Sequence, residues 1–222
     1  MNSHTPNNVD FTRSSDNFSE GLLRINTLNQ ALKKEFGEKV VKLSIDAGFT
    51  CPNRDGSKGF GGCTFCSASG SGDNASSIDE QIALLSEKWP NAKYIAYFQN
   101  YSGTYAPVSK LRELYYGALD DPRILGLAIA TRSDCIDDDC LALLDEINKK
   151  HFLWVELGLQ TIHEDSAKKL NLCHSLQDYD ETISKLNAHN IRAVTHLILG
   201  LPGESKQDMK MSVKHAIKSN SW

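Results

Sequence analysis

No apolar run in this chain approaches the roughly 18 residues that suggest a membrane span; the longest, such as ILGLAIA at 124–130, suit single buried strands. The first residues, MNSHTPNNVDFTRSSDN, contain no apolar stretch of the kind a secretory signal carries. Excess positive charge is missing as well. Lys and Arg number 24 against 28 Asp and Glu, and the net charge of −4 supplies no global attraction to nucleic acid or anionic membrane, although a local basic patch is not excluded. Internal repeats and low-complexity linkers are also absent, so a single domain is the economical reading of 222 residues, enough to bury a real core. A cytoplasmic protein without a membrane partner is the expectation. In that reducing compartment the six cysteines should stay thiols, serving metal binding or catalysis rather than disulfides.

What is present is an alternation of strand-like and helix-like segments. Residues 1–18 are polar and read as a disordered tail, leaving 19–222 as the folded domain. An amphipathic helix is expected from Leu22 to Phe36, ended by Gly37. Strands are expected at VVKLSID (40–46), KYIAYFQ (93–99), ILGLAIA (124–130), FLWVELGL (152–159) and IRAVTHLILG (191–200). Between them lie helices: one opened by a Ser77/Glu80 capping box and ending near Trp89, one opened by Pro107, and one with Cys140, Leu143, Leu144 and Ile147 inward. Two more carry Tyr179, Ile183 and Leu186, and Met209, Val213, Ala216 and Ile217. Strands alternating with helices of this length imply βαβ units, an α/β class and a parallel sheet. Sites in such sheets lie at the carboxyl ends of the strands.

The stretch that follows the first strand is CPNRDGSKGFGGCTFC, residues 51–66. It offers three thiols, Cys51, Cys63 and Cys66, in a glycine-rich loop. A closed zinc site needs four protein ligands, while a site with three keeps one coordination position open. A fourth ligand would have to come from Cys135, Cys140, Cys173 or a histidine. Cys140 falls on an apolar helix stripe, as a small core residue does, and Cys135 and Cys173 have no CxxC partner. A three-thiolate iron–sulfur cluster accounts for the odd count without a distant residue.

With Phe65 inside the last CxxC, this loop resembles that of the radical S-adenosylmethionine (SAM) superfamily. The wide gap between Cys51 and Cys63 is similar to the elongator-like branch, and IDAGFTCPNRDG…GGCTFC to its YhcC/YtqA-type bacterial group. AIATRSDC (128–135), VELGLQTIHE (155–164) and THLILGLPGE (195–204) agree in order. The resemblance implies a partial (β/α)6-type barrel with an open parallel sheet, apparently cut short after the fifth strand–helix unit. It implies that Cys51, Cys63 and Cys66 hold a 4Fe–4S cluster whose remaining iron is chelated by the methionyl amine and carboxylate of SAM. One electron then cleaves the sulfonium to methionine and a 5′-deoxyadenosyl radical.

The same resemblance assigns Phe65 to the adenine, Gln160 to the ribose and methionine, and Thr131 and His196 to cofactor-facing positions. Without the resemblance, a lone histidine in an apolar strand reads as a hydrogen-bonded core residue. The GLPGE turn would lie beside the adenine. Where relatives carry a glycine-rich motif for the methionyl amine, this chain has QNYSGTYAP, leaving Ser102, Gly103 and Thr104 as a partial substitute. Relatives often place Arg-Gly before the histidine of NLCHS; here Leu172 and Cys173 precede His174, so Leu172→Arg is expected to tighten SAM binding. A flavodoxin- or ferredoxin-type electron donor is implied as partner, and tRNA is brought forward as a substrate. Two readings from other classes stand beside this one: a zinc-stabilised interaction module and an electron-transfer iron–sulfur protein.

Overall fold

Each β-strand is laid beside its predecessor by a helix that returns the chain to the same end of the sheet. The computed structural model describes residues 27–70 and 72–222. The polar tail and the first residues of the helix expected from Leu22 lie outside the described residues. In chain order the elements are α1 (Leu28–Phe36), β1 (Val40–Ile45), α2 (Ile78–Ser86), β2 (Lys93–Phe98), α3 (Val108–Leu119) and β3 (Ile124–Thr131). Then follow α4 (Asp138–Asn148), β4 (Phe152–Gln160), α5 (Glu164–Lys169), α6 (Leu176–Ala188), β5 (Arg192–Leu197) and α7 (Lys206–Lys218). The five strands pair in the order β1-β2-β3-β4-β5, all parallel. The fold is α/β with an open parallel sheet, as expected.

Burial on both faces explains the near-continuous apolar strands. In β2, Tyr94, Ala96 and Phe98 belong to the core that includes Leu111 and Tyr115 of α3 and Leu144 of α4. The alternate residues Ile95 and Tyr97 belong to a separate cluster with Leu32, Val40, Ala128 and Trp154. That second cluster lies on the other face of the sheet, since successive strand residues point to opposite faces. There α1 closes the amino ends of the strands, with Phe36 edge-on to Phe152 at 4.9 Å. Gly126 is required where β3 meets β4: a Cβ there would stand 2.2 Å from the Phe152 carbonyl oxygen.

Among the described residues, capping boxes start four helices, at Thr27/Gln30, Ser77/Glu80, Ser175/Asp178 and Ser205/Asp208. Each satisfies backbone N–H groups that a helix start leaves free. Two differences from expectation stand out. β5 ends at Leu197 rather than residue 200, because the chain turns through Gly200 at φ 86°. A short α5 also fills what read as a plain connection.

Candidate cofactor site

The cysteine loop leaves the carboxyl end of β1 and bonds to itself. Arg54 and Asp55 donate backbone N–H to Cys51 O, Lys58 and Gly59 to Pro52 O, and Gly62 to Asn53 O. Gly59 is needed for a close approach, since a Cβ there would lie 2.4 Å from Asn53 Oδ1 and 2.8 Å from Cys173 Sγ. Asn53 is fully buried and is the loop's main anchor. Its Nδ2 donates to Asn171 O at 2.6 Å and reaches Cys63 Sγ at 3.5 Å, while its Oδ1 accepts the Cys173 thiol at 2.9 Å. In return Asn171 Nδ2 donates to Gly62 O at 2.8 Å. The segment after α5 therefore clamps the cysteine loop, and Cys173 serves that clamp.

A second tie comes from the end of β3. Arg132, buried, donates to both carboxylate oxygens of Asp134, at 2.9 and 2.8 Å, and to Cys173 O at 3.0 Å. Lys58 of the cysteine loop joins Asp134 at 2.7 Å. Burial alone would raise the Asp134 carboxyl, but hydrogen bonds from Arg132 and Lys58 prevail and hold it down at about 2. The remaining guanidinium nitrogen of Arg132, Nη1, lies 3.9 Å from Cys51 Sγ.

These ties shape a cavity of about 600 Å³ over the carboxyl ends of the strands. Cys51, Cys63, Cys66, Phe65, Ser102, Thr131, Gln160 and His196 all line it. Gly103 is not among the lining residues. It packs the loop after β2 onto β3, its N–H donating to Ala130 O at 2.8 Å and its carbonyl accepting Tyr115 O–H. Thr131 shares a 2.6 Å hydrogen bond with Thr104. Gln160 has φ 66°, a left-handed conformation uncommon for a side-chain-bearing residue, where the β4–β5 register shifts.

Two buried polar atoms at this cavity lack hydrogen-bond partners: Ser102 Oγ and His174 Nδ1. The other His174 nitrogen, Nε2, faces Gly158 O at 2.9 Å, and a carbonyl can only accept. Nε2 thus carries the proton, burial pushes the imidazole pKa down, and Nδ1 is left as a bare acceptor. Such atoms are costly unless a ligand or water meets them.

Below this rim lies a polar layer that the sequence reading missed. Glu156, 4% exposed on β4, accepts Lys42 Nζ at 3.0 Å, Trp154 Nε1 at 2.8 Å and Tyr97 O–H at 2.6 Å. His196 Nε2 sits 3.1 Å from its other side. Burial opposes the charge, but the His196 hydrogen bond and the Lys42 cation outweigh it and lower the carboxyl to about 2. Burial and this carboxylate together push the Tyr97 phenol up. A signal did exist: Lys42 and Glu156 are the charged positions of otherwise apolar strands.

Among the described residues, no three His, Cys, Asp or Glu side chains are grouped to hold a metal ion. The loop thiols nonetheless fit a cluster in chemistry and placement. Cys63 and Cys66 are hydrogen-bonded neighbours, and that contact together with burial raises the Cys63 thiol; coordination to iron reverses this preference, since a ligating thiol loses its proton. Their common wall opens on the same cavity as the orphaned Ser102 and His174 atoms.

Comparison with protein families matches residues 51–216 to the radical SAM superfamily. The chain belongs to this superfamily. It is 46% identical over 202 residues to the uncharacterized protein YtqA of Bacillus subtilis (strain 168), covering 87% of this chain and 62% of that one. Protein YhcC of Escherichia coli (strain K12) is 38% identical over 200 residues, with 88% and 65% covered. The chain thus spans just under two thirds of these relatives. Elongator complex protein 3 of Schizosaccharomyces pombe is 30% identical over 83 residues, 37% of this chain and 14% of that one. Among solved structures, archaeal Methanocaldococcus infernus Elp3 with an N-terminal deletion shares the fold at TM-score 0.50 and 19% identity, over 62% of this chain and 37% of that one. These likenesses place the chain in the elongator-like branch with the YhcC/YtqA group, and its sheet is a partial radical SAM barrel.

Proposed function

We propose that this chain is a radical SAM enzyme. Cys51, Cys63 and Cys66 would hold a 4Fe–4S cluster, and the strand-end residues would hold SAM beside it. The observation that carries the reading is the convergence of the three loop thiols, Arg132 Nη1, Ser102 Oγ and His174 Nδ1 on one cavity. When bound, cluster and SAM together supply a 5′-deoxyadenosyl radical from reductive cleavage of the sulfonium.

The protein's part is to bind, orient and exclude water. Arg132 supplies the cation for a methionyl carboxylate, since Nη1 is the corner of its guanidinium not spent on Asp134 or Cys173. His174 Nδ1 can accept from an ammonium, and Ser102 Oγ can serve either group. Gln160, at the end of β4, and Phe65, 42% exposed, flank the cavity where an adenosine has room. Leu172 also lines the cavity, but with Arg132 present the carboxylate already has its cation, so the gain expected from Leu172→Arg is not needed. The electron would come from an external flavodoxin- or ferredoxin-type donor reaching the cysteine loop, whose tip residue Phe60 is 76% exposed. The elongator-like kinship brings tRNA forward as substrate. Among the described residues no helix is long and apolar enough to cross a membrane.

The test is SAM consumption by protein reconstituted anaerobically with iron and sulfide and reduced with dithionite. Methionine and 5′-deoxyadenosine are expected in equal amounts, and their absence refutes the enzyme reading. Arg132→Gln should weaken SAM binding about ten- to a hundredfold in calorimetric titration at equal iron content, matching the roughly 1.5–3 kcal/mol of a hydrogen bond to a charged group.

A further inference from the structure

Helix α7 carries lysines at 206, 210, 214 and 218, a strict four-residue period, and all four are exposed. Successive positions rise about 6 Å and turn about 40°, so the series winds gently over about 18 Å. None of these lysines forms an ion pair with a described residue. The helix's acid, Asp208, is occupied capping Ser205, and His215 takes Asp180. This arrangement opposes helix stability: like charges four residues apart repel, and Lys206 sits at the positive end of the helix dipole. Lys218, in the last turn, is favoured by the dipole, but the repulsion along the series and Lys206 at the helix start have no compensation among the described residues, and a local rule broken in this way points to a ligand.

The series also has a direction. It begins just after the turn that follows β5, where Leu197 at the strand's end and Ile198 beyond it line the cofactor cavity. At that turn Lys169 of α5, likewise exposed and unpaired, brings Nζ to 3.2 Å from where a Cβ on Gly203 would stand. A track of five ammonium groups thus runs from the cavity rim down the outer face of the domain.

We infer that this track docks the phosphate backbone of a polynucleotide. Over about 18 Å a duplex presents roughly ten phosphates, more than enough to meet every lysine. Ammonium groups on long stems hold phosphates as point charges and read no bases, so the track sets position and leaves selection to the cavity. A membrane surface fits poorly. A helix lying on lipid inserts one apolar face, whereas α7's exposed apolar residues, Met211 and Ile217, lie about 120° apart around the helix and form no single face. The chain's overall charge of −4 makes the attraction local to this track and sensitive to salt. The inference rests on the reading of tRNA as the cavity's substrate, and binding by the track is measured apart from SAM cleavage, so either can fail alone.

The experiment is fluorescence anisotropy of a labelled RNA hairpin of roughly 20 base pairs with the reconstituted protein, at salt from about 50 to 200 mM. Five phosphate contacts predict a slope of log K against log salt near −4.5, a loss of about five-hundredfold across that range. Lys210→Gln with Lys214→Gln should bring the slope near −2.7, while Lys33→Gln with Lys34→Gln on α1 leaves it unchanged. Circular dichroism should show α7's variant folded, since all three like-charge pairs of the series (206/210, 210/214 and 214/218) are relieved. No binding at the lowest salt, an equal slope in the α7 variant, or equal competition by polyglutamate or by phosphatidylserine vesicles would each overturn the inference.

Discussion

Cys51→Ala, Cys63→Ala and Cys66→Ala, made singly, are each expected to abolish the iron–sulfur cluster, while Cys135→Ala, Cys140→Ala and Cys173→Ala retain it. The difference follows from where each sulfur sits. The first three line one cavity wall at the end of β1. Cys140 is 3% exposed on the inward stripe of α4, and burial lifts its thiol to about 12, so it is a small core residue. Burial likewise lifts Cys135 to about 12. Cys173 lies nearer the loop but donates to Asn53 Oδ1, and its removal costs one weak hydrogen bond of the clamp. Iron and acid-labile sulfide per chain, with the visible absorption of the reconstituted protein, decide the matter. Full iron in any of the three loop variants would sink the assignment.

The second large effect is structural and sits beneath the cavity. Glu156→Gln should lower stability by about 3 kcal/mol at neutral pH, because it leaves the Lys42 ammonium without its counter-charge inside the sheet. The lower end of the usual range applies, since the Lys42 side chain retains 26% exposure. For a chain of this size that corresponds to a fall of roughly 6–12 °C in Tm. The pH dependence gives a second signature. The Glu156 carboxyl is depressed from 4.5 to about 2 in the folded state, so its stabilisation is fully present above pH 4.5. It is lost as pH falls through the folded value. Wild type and Glu156→Gln should therefore differ most near neutrality and converge as pH approaches 2. Thermal melts of both proteins across that window test this, and a constant gap would show that Glu156 acts through shape rather than charge. Asp134 titrates in the same region but is common to both proteins.

The fold was legible where pattern and chemistry coincide. The five strands were marked by apolar runs such as ILGLAIA and FLWVELGL, because a parallel sheet covered on both faces asks for apolar residues at nearly every position. Their ends were less so: IRAVTHLILG looks extended throughout, yet a glycine that adopts a left-handed conformation ends β5 at Leu197. Of the cavity wall, spacing alone marked the three loop cysteines, and resemblance supplied Phe65, Thr131 and Gln160. The ties between distant segments were not legible. Asn53 reads as an ordinary turn residue, and nothing in its neighbourhood announces a partner at Asn171 across the fold. Gly103 read as part of a cofactor loop, whereas its contacts are those of a packing position against Ala130 and Tyr115. His196 shows the same limit: its strand position was clear, but its pairing with Glu156 depends on two strands lying side by side with Gly158 opposite His196.

The central claim is that three thiolates of one loop hold a cluster with an iron open to SAM. The most direct measurement is the EPR spectrum of the reduced, reconstituted protein before and after saturating SAM. A shift in g-values is expected, because amine and carboxylate enter the coordination sphere of the open iron. A spectrum unchanged at saturating SAM would contradict the claim and leave a closed electron-transfer cluster in its place.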